Sequence, residues 1–164
     1  MGIKRISKHL LLNRWRVRRA FPRGALTKIE NAIKASEKGH GGQVRFVVEG
    51  ALDGAPLFSD QSPRARALDI FSQLRIWDTE QNNGVLIYLL LADRKVEIIA
   101  DRGIDAKVRK AAWEDICHSM ETEFRSRHFE AGVVNGIAAV SRLLAAHYPP
   151  PSPRNELPDA PLVM

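Results

Sequence analysis

Asn82-Asn83-Gly84-Val85-Leu86-Ile87-Tyr88-Leu89-Leu90-Leu91-Ala92-Asp93-Arg94-Lys95-Val96-Glu97-Ile98-Ile99-Ala100-Asp101-Arg102-Gly103 decides the fold of this chain. Val85 to Leu91 is apolar with no polar alternation, which predicts a strand covered on both faces. A tight polar turn at Asp93-Arg94 follows. Lys95 to Ala100 then sets Val96 and Ile98 against Glu97 and Ile99, a second strand with less complete burial. Paired as an antiparallel hairpin, the two runs bring the loop entering the first beside the loop leaving the second. That pairing gathers Asp78, Thr79, Asn82, Asn83, Asp101 and Arg102 at one end of a sheet.

Outward from the hairpin, Val44 to Val48 reads as a further strand. Ser62-Pro63 opens a helix between it and the hairpin, serine as N-cap and proline in the first turn. Its expected buried face is Ala67, Leu68, Phe71, Leu74 and Trp77, and Gly50 to Gln61 is expected as loop. Upstream, Thr27-Lys28-Ile29-Glu30 reads as a capping box, and Gly39 as a left-handed helix stop. Downstream, Val108, Ala112, Trp113, Ile116, Met120 and Phe124 mark one helix. A break near Arg127-His128 precedes another, Phe129 to Ala146, whose Gly132 and Gly136 allow close packing.

The predicted fold class is α/β: a small mixed β-sheet, a parallel crossover plus an antiparallel hairpin, sandwiched by helices. Three segments are expected. Residues 1–21 form a basic amphipathic helix and residues 22–148 the domain proper. In residues 149–164, prolines at 149, 150, 151, 153, 158 and 161 read as a disordered tail.

With 164 residues, 45% of them hydrophobic and 27% charged, the chain has the composition of one soluble globular domain. A single cysteine, Cys117, excludes an internal disulfide framework, and the five scattered histidines have no zinc-site spacing. Lys4, Arg5, Lys8, Arg14, Arg16, Arg18, Arg19 and Arg23 put eight bases and no acid into residues 1–23. The rest of the chain holds 17 of the 25 bases against 19 acids, so the net +6 belongs to the arm. Three fates suit such an arm: docking on the chain's own core, an anionic membrane surface, or nucleic acid, the last disfavoured because no recognition motif accompanies the charge. No secretory signal is visible, and the longest apolar run falls short of the roughly 20 residues that span a bilayer. The expectation is a cytoplasmic protein, peripheral to the inner membrane.

Asn83-Gly84-Val85-Leu86-Ile87, then Ala92-Asp93-Arg94-Lys95-Val96-Glu97-Ile98, then a glycine after the strand, resemble the TPM domain family of thylakoid, photosystem-repair and MOLO-like proteins. Trp113, Ile116, Met120, Phe124, Phe129, Gly132 and Gly136-Ile137 are similar to that family's helical half. The resemblance covers roughly residues 20–147 and suggests a short bacterial-type member without signal peptide or transmembrane anchor. It implies a small α/β sandwich, calcium binding through acidic loops near the hairpin, and acid phosphatase activity in some members. The family's frequent Asp-Asn-Gly-Val reads Asn82-Asn83-Gly84-Val85 here, and its glycine-rich exit reads Asp101-Arg102-Gly103.

Calcium takes about six to eight oxygens, several from carboxylates. Asp78 and Asp101 are the candidate metal ligands for Ca2+ or Mg2+, with Thr79, Asn82, Asn83 and Arg102 completing a ligand-binding set. The plainer reading gives Asp78 and Thr79 to a turn and Asn83-Gly84 to the entry of the strand. No glycine-rich phosphate loop occurs, and the adjacent Cys117 and His118 cannot share a helix face, so no catalytic residue is assigned. The favoured expectation is a non-catalytic binding or accessory module near the inner membrane face, with an envelope-associated protein partner and residues 1–23 on an anionic surface. The alternative is a weak, divalent-cation-dependent phosphatase.

Overall fold

A computed structural model describes residues 3–11, 14–150 and 154–164. In chain order the elements are α1 (Ile3–Leu11), α2 (Arg14–Ala20), α3 (Arg23–Glu37), β1 (Gln43–Glu49), α4 (Gly54–Phe58) and α5 (Pro63–Gln73). They continue with β2 (Gly84–Leu90), β3 (Lys95–Ala100), α6 (Arg102–Asp105), α7 (Lys110–Arg125), α8 (Phe129–His147) and β4 (Leu162–Val163).

The sheet runs β3-β2-β1-β4. β1 is parallel to β2, with Gln43 opposite Gly84, and β2 and β3 form the antiparallel hairpin, with Val85 opposite Ala100. Every residue of β2 is buried, as an unbroken apolar run between two covering layers requires. Val85, Ile87 and Leu89 face a core built with Ile29, Ile33, Phe124, Val133 and Ile137 from α3, α7 and α8. Leu86, Tyr88 and Leu90 face a second core made with Leu57, Ala67, Ile70 and Ile76. Alternation along one strand thus feeds both layers.

α8 is long and apolar enough, by length and composition, to cross a membrane. Here it packs on α7, and a Cβ on Gly136 would overlap the Met120 sulfur. Ser62 caps α5 as its position predicts, its hydroxyl accepting the Ala65 N–H at 3.1 Å.

Several local expectations are corrected. α3 starts at Arg23 behind Pro22, and Thr27 is not a cap; its hydroxyl donates back to the Arg23 carbonyl at 3.1 Å. Phe21 is held between Phe46 and Phe129, so the chain turns at Pro22, where a missing N–H costs nothing. Gly39 is not left-handed; its N–H donates to the Ser36 carbonyl at 2.9 Å, and among the described glycines only Gly54 has positive φ. α4 interrupts the loop expected over residues 50–61. Leu68 is about half exposed because α5 turns Ala67 and Ile70 inward, and Trp77 is about half exposed because Arg75, at φ 52, turns the chain and Ile76 goes inward instead.

The C-terminal segment differs most from its sequence pattern. Residues 154–164 are ordered against the domain, correcting the disorder expected over 149–164; residues 151–153 lie outside the described residues. Leu162–Val163 pair with Val47 and Val48 as a parallel edge strand. Gln43 holds the segment through its side chain: Nε2 donates to the Arg154 carbonyl, and Oε1 accepts the N–H groups of Glu156 and Leu157. Arg45 donates to the carbonyls of Pro158 and Ala160. Proline composition removes donors from the segment itself, but β1 supplies them.

Candidate functional site

The register sets Gln43, Gly84 and Asp101 in one row across the sheet, so the hairpin does bring residues 79–84 beside residues 101–104. The close approach needs two glycines. A Cβ on Gly84 would overlap the Ile76 carbonyl oxygen, and one on Gly103 the Asn82 carbonyl oxygen.

The loop is closed by its own side chains. Thr79 is buried, and its hydroxyl accepts the Asn83 N–H at 3.1 Å. Asn82 takes the left-handed conformation at φ 51, a region asparagine tolerates better than most residues. Its carbonyl accepts the Ile104 N–H at 3.2 Å, and its side-chain oxygen accepts Arg102 Nε at 3.1 Å. Asn83 is buried and donates to the Gly41 carbonyl at 2.9 Å, leaving its Oδ1 without a partner. Asp101 caps α6, with Oδ1 accepting the Arg102 N–H at 2.7 Å; its Oδ2 is buried without a partner. Asp78 is exposed in the loop.

Of the six residues singled out, Asn82 and Arg102 are therefore bonded to each other, Thr79 serves the loop, and Asp78 stands in solvent. Asn83 and Asp101 each keep one buried oxygen. Among the described residues no three or more His, Cys, Asp or Glu side chains form a group able to hold a metal. The residues that remain fit a divalent cation poorly, since one buried carboxylate oxygen and one amide oxygen are far fewer than such ions take.

His40 belongs to this end of the sheet and was not singled out. Its Nδ1 accepts the Gly42 N–H at 3.2 Å, which places the ring proton on Nε2, a buried donor with no partner. Burial lowers its pKa against the pull of the Gly42 contact, which favours the neutral ring. The signal in the sequence was the His40-Gly41-Gly42 word before β1. Burial first, and then the Glu97 charge, push the Cys117 thiol up to about 12, away from the thiolate form that a nucleophile needs.

The arm makes a second surface. α1 is clamped to the β2–β3 turn, where Arg5 Nε meets Asp93 at 3.0 Å and His9 bridges the Leu52 N–H and Asp93. Val17 on α2 and Phe21 just after it point into the core, while Arg16, Arg18 and Arg19 are exposed. Trp15 is 61% exposed, with the Arg19 guanidinium 5.3 Å from its ring centroid. Leu10 is 69% exposed.

The family model described as TPM domain matches residues 19–143. The chain belongs to the TPM domain family. This TPM domain is similar in structure to the BA42 protein of the psychrophilic bacterium Bizionia argentinensis, solved by NMR, with TM-score 0.75 and 27% identity. That match covers 86% of this chain and 93% of BA42. The fold alone is shared with two N-terminal domains. One, from a P. gingivalis protein, has TM-score 0.57 and 21% identity over 71% of each chain. The other, from the cg2496 protein of Corynebacterium glutamicum, has TM-score 0.50 and 11% identity over 81% of this chain and 78% of that one. No curated protein matches this TPM domain by sequence.

Proposed function

We propose that this TPM domain is a non-catalytic binding module, cytoplasmic, docking on the anionic inner face of a membrane beside an envelope-associated protein partner. One observation carries the reading: α2 buries Val17, Phe21 just after it is buried too, and Trp15, Arg16, Arg18 and Arg19 are turned outward. Tryptophan and arginine together suit the headgroup layer, where an amphipathic ring and a cation both find partners. Sedimentation with vesicles tests it. The chain is expected to pellet with vesicles containing phosphatidylserine, to be released by salt, and to ignore vesicles of phosphatidylcholine alone. Equal binding to both, or none at low salt, would sink the reading.

A second reading, a weak divalent-cation-dependent phosphatase at Asp78 and Asp101, has in its favour only the unpartnered buried oxygens of Asp101 and Asn83, against an exposed Asp78 and a donor set too small for such an ion. Calcium or magnesium at a hundred times its dissociation constant would stabilise the fold by about 2.7 kcal/mol. Melting with millimolar metal, with Asp101→Asn as control, decides; an unchanged midpoint removes this reading.

A further inference from the structure

We propose that the groove between α2, the start of α3 and β4 receives the acyl chain of a membrane lipid, whose anionic headgroup lies between Arg18 and Arg23. This rests on the membrane-docking reading and names the lipid contact within it. The groove encloses about 580 Å³, inside the roughly 300–1,000 Å³ typical of small-molecule sites. Its floor is Val17, Phe21 and Leu26. Its far wall is Val163 and Met164, which stay 43% and 45% exposed although the backbone there is fixed by Met164 N–H donating to the Val48 carbonyl at 2.9 Å. Apolar side chains left at the surface along a built wall are what a hydrocarbon chain would cover.

The charge around it selects the headgroup. Arg18 and Arg23 line the rim, are exposed, and form no ion pair among the described residues. The larger cavity of about 890 Å³ beside β3 is the contrast. There the bases are matched at home: Arg64 with Glu97, Lys95 with Glu121, Lys110 with Glu114. Arg64 and Glu121 also occupy the outward Ile98 carbonyl and Val96 N–H of that edge strand. Of these two cavities, the groove by α2 joins an apolar floor to two arginines with no ion-pair partner among the described residues, the complement of an anionic lipid.

Calorimetric titration of the full chain with monomeric dodecyl phosphate tests the proposal, alongside the vesicle sedimentation above. Saturable binding of dodecyl phosphate is expected, with no heat from inorganic phosphate and weaker binding of dodecyl maltoside. Val163→Trp, which fills the groove from an exposed position, is expected to weaken dodecyl phosphate by at least about tenfold, the loss of roughly two buried methylenes. Arg18→Gln with Arg23→Gln, which leaves the groove open, is expected to bring dodecyl phosphate down to the level of dodecyl maltoside. If the chain pellets with anionic vesicles but neither variant changes dodecyl phosphate binding, the groove assignment is overturned and docking stands. Binding of inorganic phosphate alone, or displacement of dodecyl phosphate by a polyglutamate peptide, overturns the lipid as occupant. Failure to pellet with anionic vesicles overturns both.

Discussion

Gly84 has no side chain because the Ile76 carbonyl occupies the place a Cβ would take. Backbone oxygen cannot swing aside as a flexible side chain does, so Gly84→Ala must shift β2 or the loop before it. The expected cost is about 1–3 kcal/mol, read as a lower urea midpoint with an unchanged slope. An unchanged midpoint would mean that the approach of residue 76 to β2 is not tight. At this scale the sequence pattern was partly readable. Asn83-Gly84 announces a strand entry, and Asp101 before Arg102-Gly103 announces a turn. What the pattern lacks is the partnership between them: Asn82 accepts from Arg102 only because the hairpin juxtaposes two loops about twenty residues apart. The His40-Gly41-Gly42 word marks the entry to β1, but the burial of His40 was not legible for the same reason, since it depends on what packs around it.

Elements were legible where one local period decided them. β2 and β3 follow from an unbroken run and an alternating one, α7 and α8 from helical spacing with small residues at their contact. Residues 154–164 were not, because their partners lie on α3 and β1. There Glu37 accepts the Val44 N–H at 3.0 Å and feels the charge of Asp159. Burial pushes its carboxyl up to about 7; the Val44 N–H opposes this and the Asp159 charge adds to it. The folded chain therefore holds a proton there that the unfolded chain, titrating near 4.5, releases. This contribution to stability is full below about pH 4.5 and is lost as pH rises through about 7, on the order of 3 kcal/mol in all. Urea midpoints of the wild type relative to Glu37→Gln are expected to fall across that window. A constant difference from pH 4 to pH 8 would place the carboxyl in ordinary solvent.

At the scale of the whole molecule, charge is divided between two surfaces. Residues 1–23 carry eight bases and no acid, and the remainder is slightly acidic. The arm is part of the folded body, with Phe21 centred 6.0 Å from Phe46 and 5.7 Å from Phe129. Deleting it would remove core, so its surface is better tested by charge. The end of the sheet, by contrast, spends its polar atoms on its own loops and keeps two buried oxygens. Binding at the arm is thus the central claim. The most direct measurement is sedimentation of Arg18→Gln/Arg19→Gln with phosphatidylserine vesicles at low salt. At about 1 kcal/mol for each base near an anionic surface, roughly 30-fold weaker binding is predicted, with the melting temperature unchanged. Wild-type affinity in the double variant would contradict the account.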